Sequence, residues 1–281
     1  MEFYGLIEHD RFASNRATID AIKDACKKGK IAFNEVNVEK FDFLSFPELS
    51  EEDIVFRITS GVKSRKLEKL LINEKCKTIY HDNQLAYFNR GSCYYHNLKV
   101  GLPVIPTIVQ MPQRFEDLKK AVELLDGYPV IFKKEGLSHG RGVSKIENEK
   151  ELESRFEAED GSTNLMIRKF IKHEKQYRLA VLGDEVLACH QNWLAPNDFR
   201  SNSGDSRLRK SEACDCEPDL KAIAIEAVAS MGIDFGGVDI LIDDQGDAYI
   251  AEVNAPFYFA STAKLCQVDI AGALVDHLMK K

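Results

Sequence analysis

Three oxygen-bearing side chains carry the clearest chemistry in this chain: Asp239, Glu252 and Asn254. Asp239 interrupts the apolar run 238–242, where an unpaired charge is costly and a partner is required. Glu252 and Asn254 stand two apart in a second run of strand character, so both project from one face. If the two runs pair through a turn at 243–246, the three side chains converge. Two carboxylates and an amide are hard oxygen ligands, suited to magnesium bridging nucleotide phosphates. A salt-bridged pair beside a turn asparagine has the same spacing, and spacing alone leaves both readings open.

Lys133 closes the apolar strand pattern 128–133, which holds it rigidly enough to meet a phosphate as a point charge. After it, Gly136, Gly140 and Gly142 punctuate a loop that also holds Ser138 and His139. Such a loop can wrap a phosphate chain with backbone N–H groups, although it is not a P-loop and an ordinary turn reads the same way. Arg200, in a polar segment, can stabilise charge on a transferring phosphoryl group, and a solvated loop explains it equally well. Residues 168–171, Arg168, Lys169, Phe170 and Ile171, can offer a backbone edge to adenine while Phe170 or Ile171 packs on it. No GxSxG elbow and no HExxH occur. Cys214 and Cys216 lack a second pair at metal spacing and read as loop.

The elements that must position these residues follow from periodicity. Strands at 3–7, 31–38 and 53–57 alternate with helices at 14–28 and 63–73, and Gly29 sits where a C-cap belongs. That alternation predicts parallel βαβ units in a small doubly wound domain. Further on, the pattern predicts helices at 115–125, 220–231 and 270–279. It predicts strands at 128–133, 165–168 and 176–182, and a hairpin at 237–242 and 248–252. The polar stretch 195–216 reads as loop. Over 281 residues, 44% hydrophobic, two lobes and a sizeable core are expected. A net charge of −7 without a basic block argues against nucleic acid as a partner. No apolar run long enough for a membrane span and no signal peptide are present. Seven scattered cysteines without CxxC pairs fit reduced thiols and a cytoplasmic location.

Taken in order, the segments 128–133, 136–143, 165–172, 183–186, 198–202, 237–241, 252–254 and 268–272 resemble the ATP-grasp superfamily, and most of all its RimK-type carboxylate–amine ligases. The resemblance spans roughly residues 80–281. It implies an α/β chain (α+β ATP-grasp) with an N-terminal domain at 1–80, a small subdomain with a lid loop at 81–164 and a C-terminal subdomain with the metal site at 165–281. It implies an ADP-forming ligase that activates a carboxylate as an acyl phosphate and joins it to the amine of an amino acid, peptide or carrier protein. ATP and magnesium, or manganese in its place, are the implied cofactors.

Lys133 and Arg200 take catalytic roles in that scheme, with Lys133 and the lid residues Ser138, His139, Gly140 and Gly142 on the phosphates. Residues 168–171 receive adenine, Gln176 is near the ribose, and Arg178 matches the arginine after the hinge. Asp239, Glu252 and Asn254 match the metal ligands. Related ligases form dimers or tetramers, so a homo-oligomer is expected. Three departures stand out. Arg168 and Lys169 stand where the family has Gln or Glu before the hinge aromatic, and Glu174 and Gln176 are the nearest groups for the ribose. Asn83 follows Asp82 where the family has a lysine, which motivates an alternative: a nucleotide-binding relative with weak catalysis and a regulatory or partner-binding role. Phe257 and Tyr258 replace a small turn after Asn254 and are expected to reshape the acceptor pocket.

Overall fold

The computed structural model describes all residues except 9–12, 43, 45, 47, 74, 88–92, 135–141, 159–164, 195–198 and 200–209. The first unit runs β1 (Glu2–Ile7), α1 (Ala13–Lys28), β2 (Ala32–Asn37), β3 (Ile54–Arg57) and α2 (Val62–Leu71). Its strands lie in the order β2-β1-β3, all parallel. A central parallel strand is covered on both faces, which is why β1 reads as continuous apolar sequence and not as an alternation. The left-handed residue after α1 is Lys30, at φ 58°, and not Gly29, whose N–H still bonds Ala25 O.

The second unit holds α3 (Cys93–Lys99), β4 (Thr107–Ile108), α4 (Phe115–Glu123), β5 (Val130–Lys134), β6 (Val143–Ile146), α5 (Glu149–Glu157) and β7 (Leu165–Lys169). The antiparallel sheet has the order β4-β7-β5-β6 over its own core, including Leu118, Val130, Phe132, Leu152 and Ile167. β7 is thus bonded into this sheet, so a division of the chain by sheets falls between residues 169 and 173, and not at 164. The expected pattern missed α5, whose start is capped by Asn148 accepting from Glu151 N.

The third unit contains β8 (His173–Leu182), β9 (Glu185–Trp193), β10 (Ser211–Ala213), α6 (Pro218–Ala229), β11 (Phe235–Asp243), β12 (Ala248–Asn254), α7 (Ala260–Cys266) and α8 (Ile270–Lys280). Its antiparallel sheet has the order β10-β9-β8-β11-β12. β10 falls inside the stretch expected to be loop; three residues are too few to show periodicity. One face of this sheet buries Leu179, Val181, Val238, Ile240 and Val253 with residues of α6 and α8. The alternate positions therefore face the other way, and there the strands carry Gln176, Arg178, Asp239, Glu252 and Asn254.

Two polar clasps tie the first unit to the third. The buried Arg57 pairs with Glu68 at 2.7 Å and donates to Ala255 O at 3.2 Å, while Ser60 N donates to the Tyr258 hydroxyl at 2.8 Å. Asp234 meets His81 (3.0 Å), His277 (3.1 Å) and Lys281 (2.6 Å), and Lys281 Nζ also donates to Thr78 O and Tyr80 O. Phe257 points into the core among Phe235 and Phe259, and so does not reshape a pocket. Among the described residues, no helix is long and apolar enough to cross a membrane.

Candidate active site

Register builds the site. β8, β9, β11 and β12 place His190, Arg178, Asp239 and Glu252 opposite one another in a row across the sheet. Directly opposed residues share a face and lie close enough to interact. Arg178 grips Asp239 with both arms of its fork, Nε to Oδ1 at 2.6 Å and Nη2 to Oδ2 at 2.7 Å. Asp239 is 2% exposed, so this pairing is what allows a carboxylate in an apolar strand. Burial alone draws the Arg178 pKa down, but Asp239, and more weakly Glu252, push it above its usual value.

Asn254 lies two pairs along β12 from Glu252 and turns its Nδ2 toward Asp239 Oδ2 at 3.4 Å, so its Oδ1 is the atom that can meet a cation. Glu252 is more open, 47% exposed, and faces Lys133 Nζ across 3.6 Å. Lys133 belongs to the neighbouring sheet, so the expected strand-end lysine and the expected carboxylate do meet. The donor set fits magnesium by chemistry: two carboxylates and an amide oxygen, with Asp239 Oδ1 keeping one lone pair beyond its bond to Arg178. Among the described residues, no cluster of three His, Cys, Asp or Glu side chains suits a metal. Cys214 Sγ lies 3.6 Å from Cys189 Sγ, and the described cysteines are free thiols.

The hinge differs from its expected form. β7 lies between β4 and β5, so the Arg168 backbone is inside a sheet, and Lys169 N donates to Pro106 O. The Arg168 side chain instead clamps the two sheets, donating to Thr107 Oγ1 (2.9 Å) and Ala251 O (2.9 Å). Ala251 can receive it because β12 bulges there, between the pairs Asp239–Glu252 and Ile240–Ile250. Lys169 pairs with Asp126 at 2.6 Å. Past β7, Ile171 packs with Ile105 and Leu241 between the sheets, and Phe170 lies under Lys145 Nζ at 4.4 Å. Gln176 is 4% exposed, between Asn192 and Leu241. Gly142, at φ 75°, closes the β5–β6 hairpin by accepting from Lys134 N. Ser138, His139, Gly140 and Arg200 lie outside the described residues.

Asn83 bonds to its own neighbourhood. Its amide donates to Asn73 O and Cys76 O, both at 2.7 Å, and accepts from Thr78. Residues the sequence reading passed over are His190, Asn192, Ser261 and Lys264, which with Arg178 and Ser211 frame a cleft of about 480 Å³ beside the row. The alternation of polar residues His190 and Asn192 on β9 was the available signal.

A family model described as the RimK-like ATP-grasp domain matches residues 96–278. "Probable alpha-L-glutamate ligase 2" of Hahella chejuensis is 32% identical over 162 residues, covering 57% of this chain and 52% of that protein. The chain thus spans about half the length of that curated relative. The solved structure of the ATP-grasp ligase PsnB complexed with a minimal precursor matches with a TM-score of 0.72 at 14% identity, over 100% of this chain and 99% of that one. D-alanine–D-alanine ligase from Bacillus anthracis complexed with ATP matches at 0.70 and 14%, over 100% and 96%. At such identities the structural likeness establishes the ATP-grasp fold.

Proposed function

The chain belongs to the RimK-like ATP-grasp family, and from that premise we propose that it is an ATP- and magnesium-dependent, ADP-forming ligase that activates a carboxylate as an acyl phosphate and joins it to an amine. The observation that carries this reading is the Arg178–Asp239–Glu252 row, set against Lys133 from the neighbouring sheet. The names of similar proteins favour glutamate as an amine-bearing substrate.

The residues divide the work as follows. Asp239, Glu252 and Asn254 hold the metal, which supplies Lewis-acid charge at the terminal phosphates. Arg178 bonds both oxygens of Asp239 and fixes the direction in which they point. Lys133, released from Glu252, brings a positive charge to the transferring phosphoryl group. Ile171 and Phe170 receive the base. Arg200, Ser138, His139, Gly140 and Gly142 take the phosphate-facing and lid roles that family membership gives them, and lid closure keeps water from the activated carboxyl. A substrate carboxylate oxygen attacks the terminal phosphorus as ADP departs. The amine nitrogen then attacks the acyl carbon and phosphate leaves. Use of ATP and free thiols suits work in the cytoplasm.

The weak-catalysis alternative rested on Asn83, whose hydrogen bonds all stay within the 73–78 segment. The test is ADP and phosphate release with magnesium, ATP and paired carboxylates and amines. Asp239→Asn should lower the rate at least ~100-fold, a barrier change of about 3 kcal/mol. Absence of ADP formation with every pair, or full activity in Asp239→Asn, sinks the ligase reading.

A further inference from the structure

We propose that the cleft framed by Arg178, His190, Asn192, Ser211, Ser261 and Lys264 seats the amine-bearing substrate by an ionised carboxylate that does not react, with Lys264 as its counter-charge. This inference rests on the ligase reading for its place in the reaction, and on the cleft itself for its chemistry. The cleft measures about 480 Å³, room for an amino acid or the end of a peptide. Its lining contains two residues that carry positive charge, Arg178 and Lys264, with His190 beside them, and no carboxylate.

These groups are not equivalent. Arg178 spends its fork on Asp239, so it marks the end of the cleft that touches the metal ligands and contributes little free charge. Lys264 stands on the exposed face of α7 and forms no ion pair among the described residues. Asn192 is buried, and its Oδ1 accepts from Ser211 Oγ at 2.6 Å. With the acceptor end of the amide engaged, Nδ2 is the end that can donate into the cleft. The lining therefore offers a mobile ammonium, an oriented amide N–H and the Ser261 hydroxyl, a set that suits a carboxylate and discriminates against a cationic or neutral group.

Geometry adds direction. Arg178 is shared between the cleft and the catalytic row, so a molecule seated against Lys264 extends toward Asp239 and Glu252. An α-amino acid held by its carboxylate at the α7 end would present the rest of its backbone toward the phosphate end.

The experiment is calorimetric binding of the L-amino acids, each against its own α-carboxamide, to the full chain with magnesium and ADP. At least one acid should bind ten-fold or more tightly than its amide. Lys264→Gln should remove most of that advantage, and Lys264→Arg should keep it. In phosphate-release assays the same Lys264→Gln variant should raise KM for that acid about ten-fold with kcat within two-fold. A dipeptide ending in the same residue distinguishes a peptide terminus from a free amino acid. Equal binding of acid and amide, no binding of any acid, or an unchanged advantage in Lys264→Gln overturns the proposal. If acids bind as expected but no ADP forms, the ligase reading fails while the assignment of the cleft stands.

Discussion

Asp239 receives two bonds from Arg178 and a longer approach from Asn254. Its position inside an apolar strand demanded a partner, but the partner's identity needed the register of β8. His173 shows the opposite situation close by. Its Nδ1 donates to Ile171 O at 2.8 Å, and its buried Nε2 has no partner. Burial lowers its pKa, because protonated Nε2 would carry a charge with no acceptor. An unfolded histidine protonates near 6.5, so a neutral folded one adds stability above that value and loses it as pH falls below. Urea unfolding should therefore show a decline from pH 7 to pH 5 that His173→Gln flattens. An unchanged slope in the variant would assign the decline elsewhere.

Elements were legible in proportion to their length and patterning. β1, α1, α6, the β11–β12 hairpin and α8 stand where periodicity puts them, and with them the row of metal-ligand candidates. α5 escaped notice because its charged sequence carries little apolar stripe, and β10 because it is short. The hinge misled for a different reason: strand pattern cannot show which neighbours a strand will have, and β7 acquired one on each edge. The turn after Asn254 misled because size was taken for a sign of position. Phe257 instead lies so close to Gly237 that a Cβ there would sit 2.3 Å from its ring. Gly237→Ala should thus cost about 1–3 kcal/mol, the usual penalty of overpacking. Pairing it with Phe257→Leu should recover part of that in a double-mutant cycle. Additive losses would show that the two do not compete for the same space.

On the scale of the whole molecule, polar contacts stitch sheets of three, four and five strands together. Asp234 is one such stitch, joining His81 before the second unit to His277 and Lys281 at the end of α8. Burial raises its carboxyl pKa, but the Lys281 and His277 bonds outweigh that and hold it below its ordinary value. Its contribution is present above the unfolded value near 3.9 and disappears as pH falls through the lower folded one. Asp234→Asn should cost about 2 kcal/mol, discounted for the exposure of its partners, and lower Tm by several degrees at neutral pH. The gap between the two proteins should close below pH 3. A gap that persists there would show that the loss is not electrostatic.

The bonds from Arg57 to Ala255 O and from Ser60 to Tyr258 begin one residue beyond Asn254. The first unit cannot turn against the central sheet without breaking them or carrying the end of β12 along. A molecule bound to the first unit and a metal held at Asp239, Glu252 and Asn254 would then be thermodynamically linked, and linkage runs both ways. Whatever factor a molecule bound to the first unit imposes on metal affinity, the metal must return to that molecule in full.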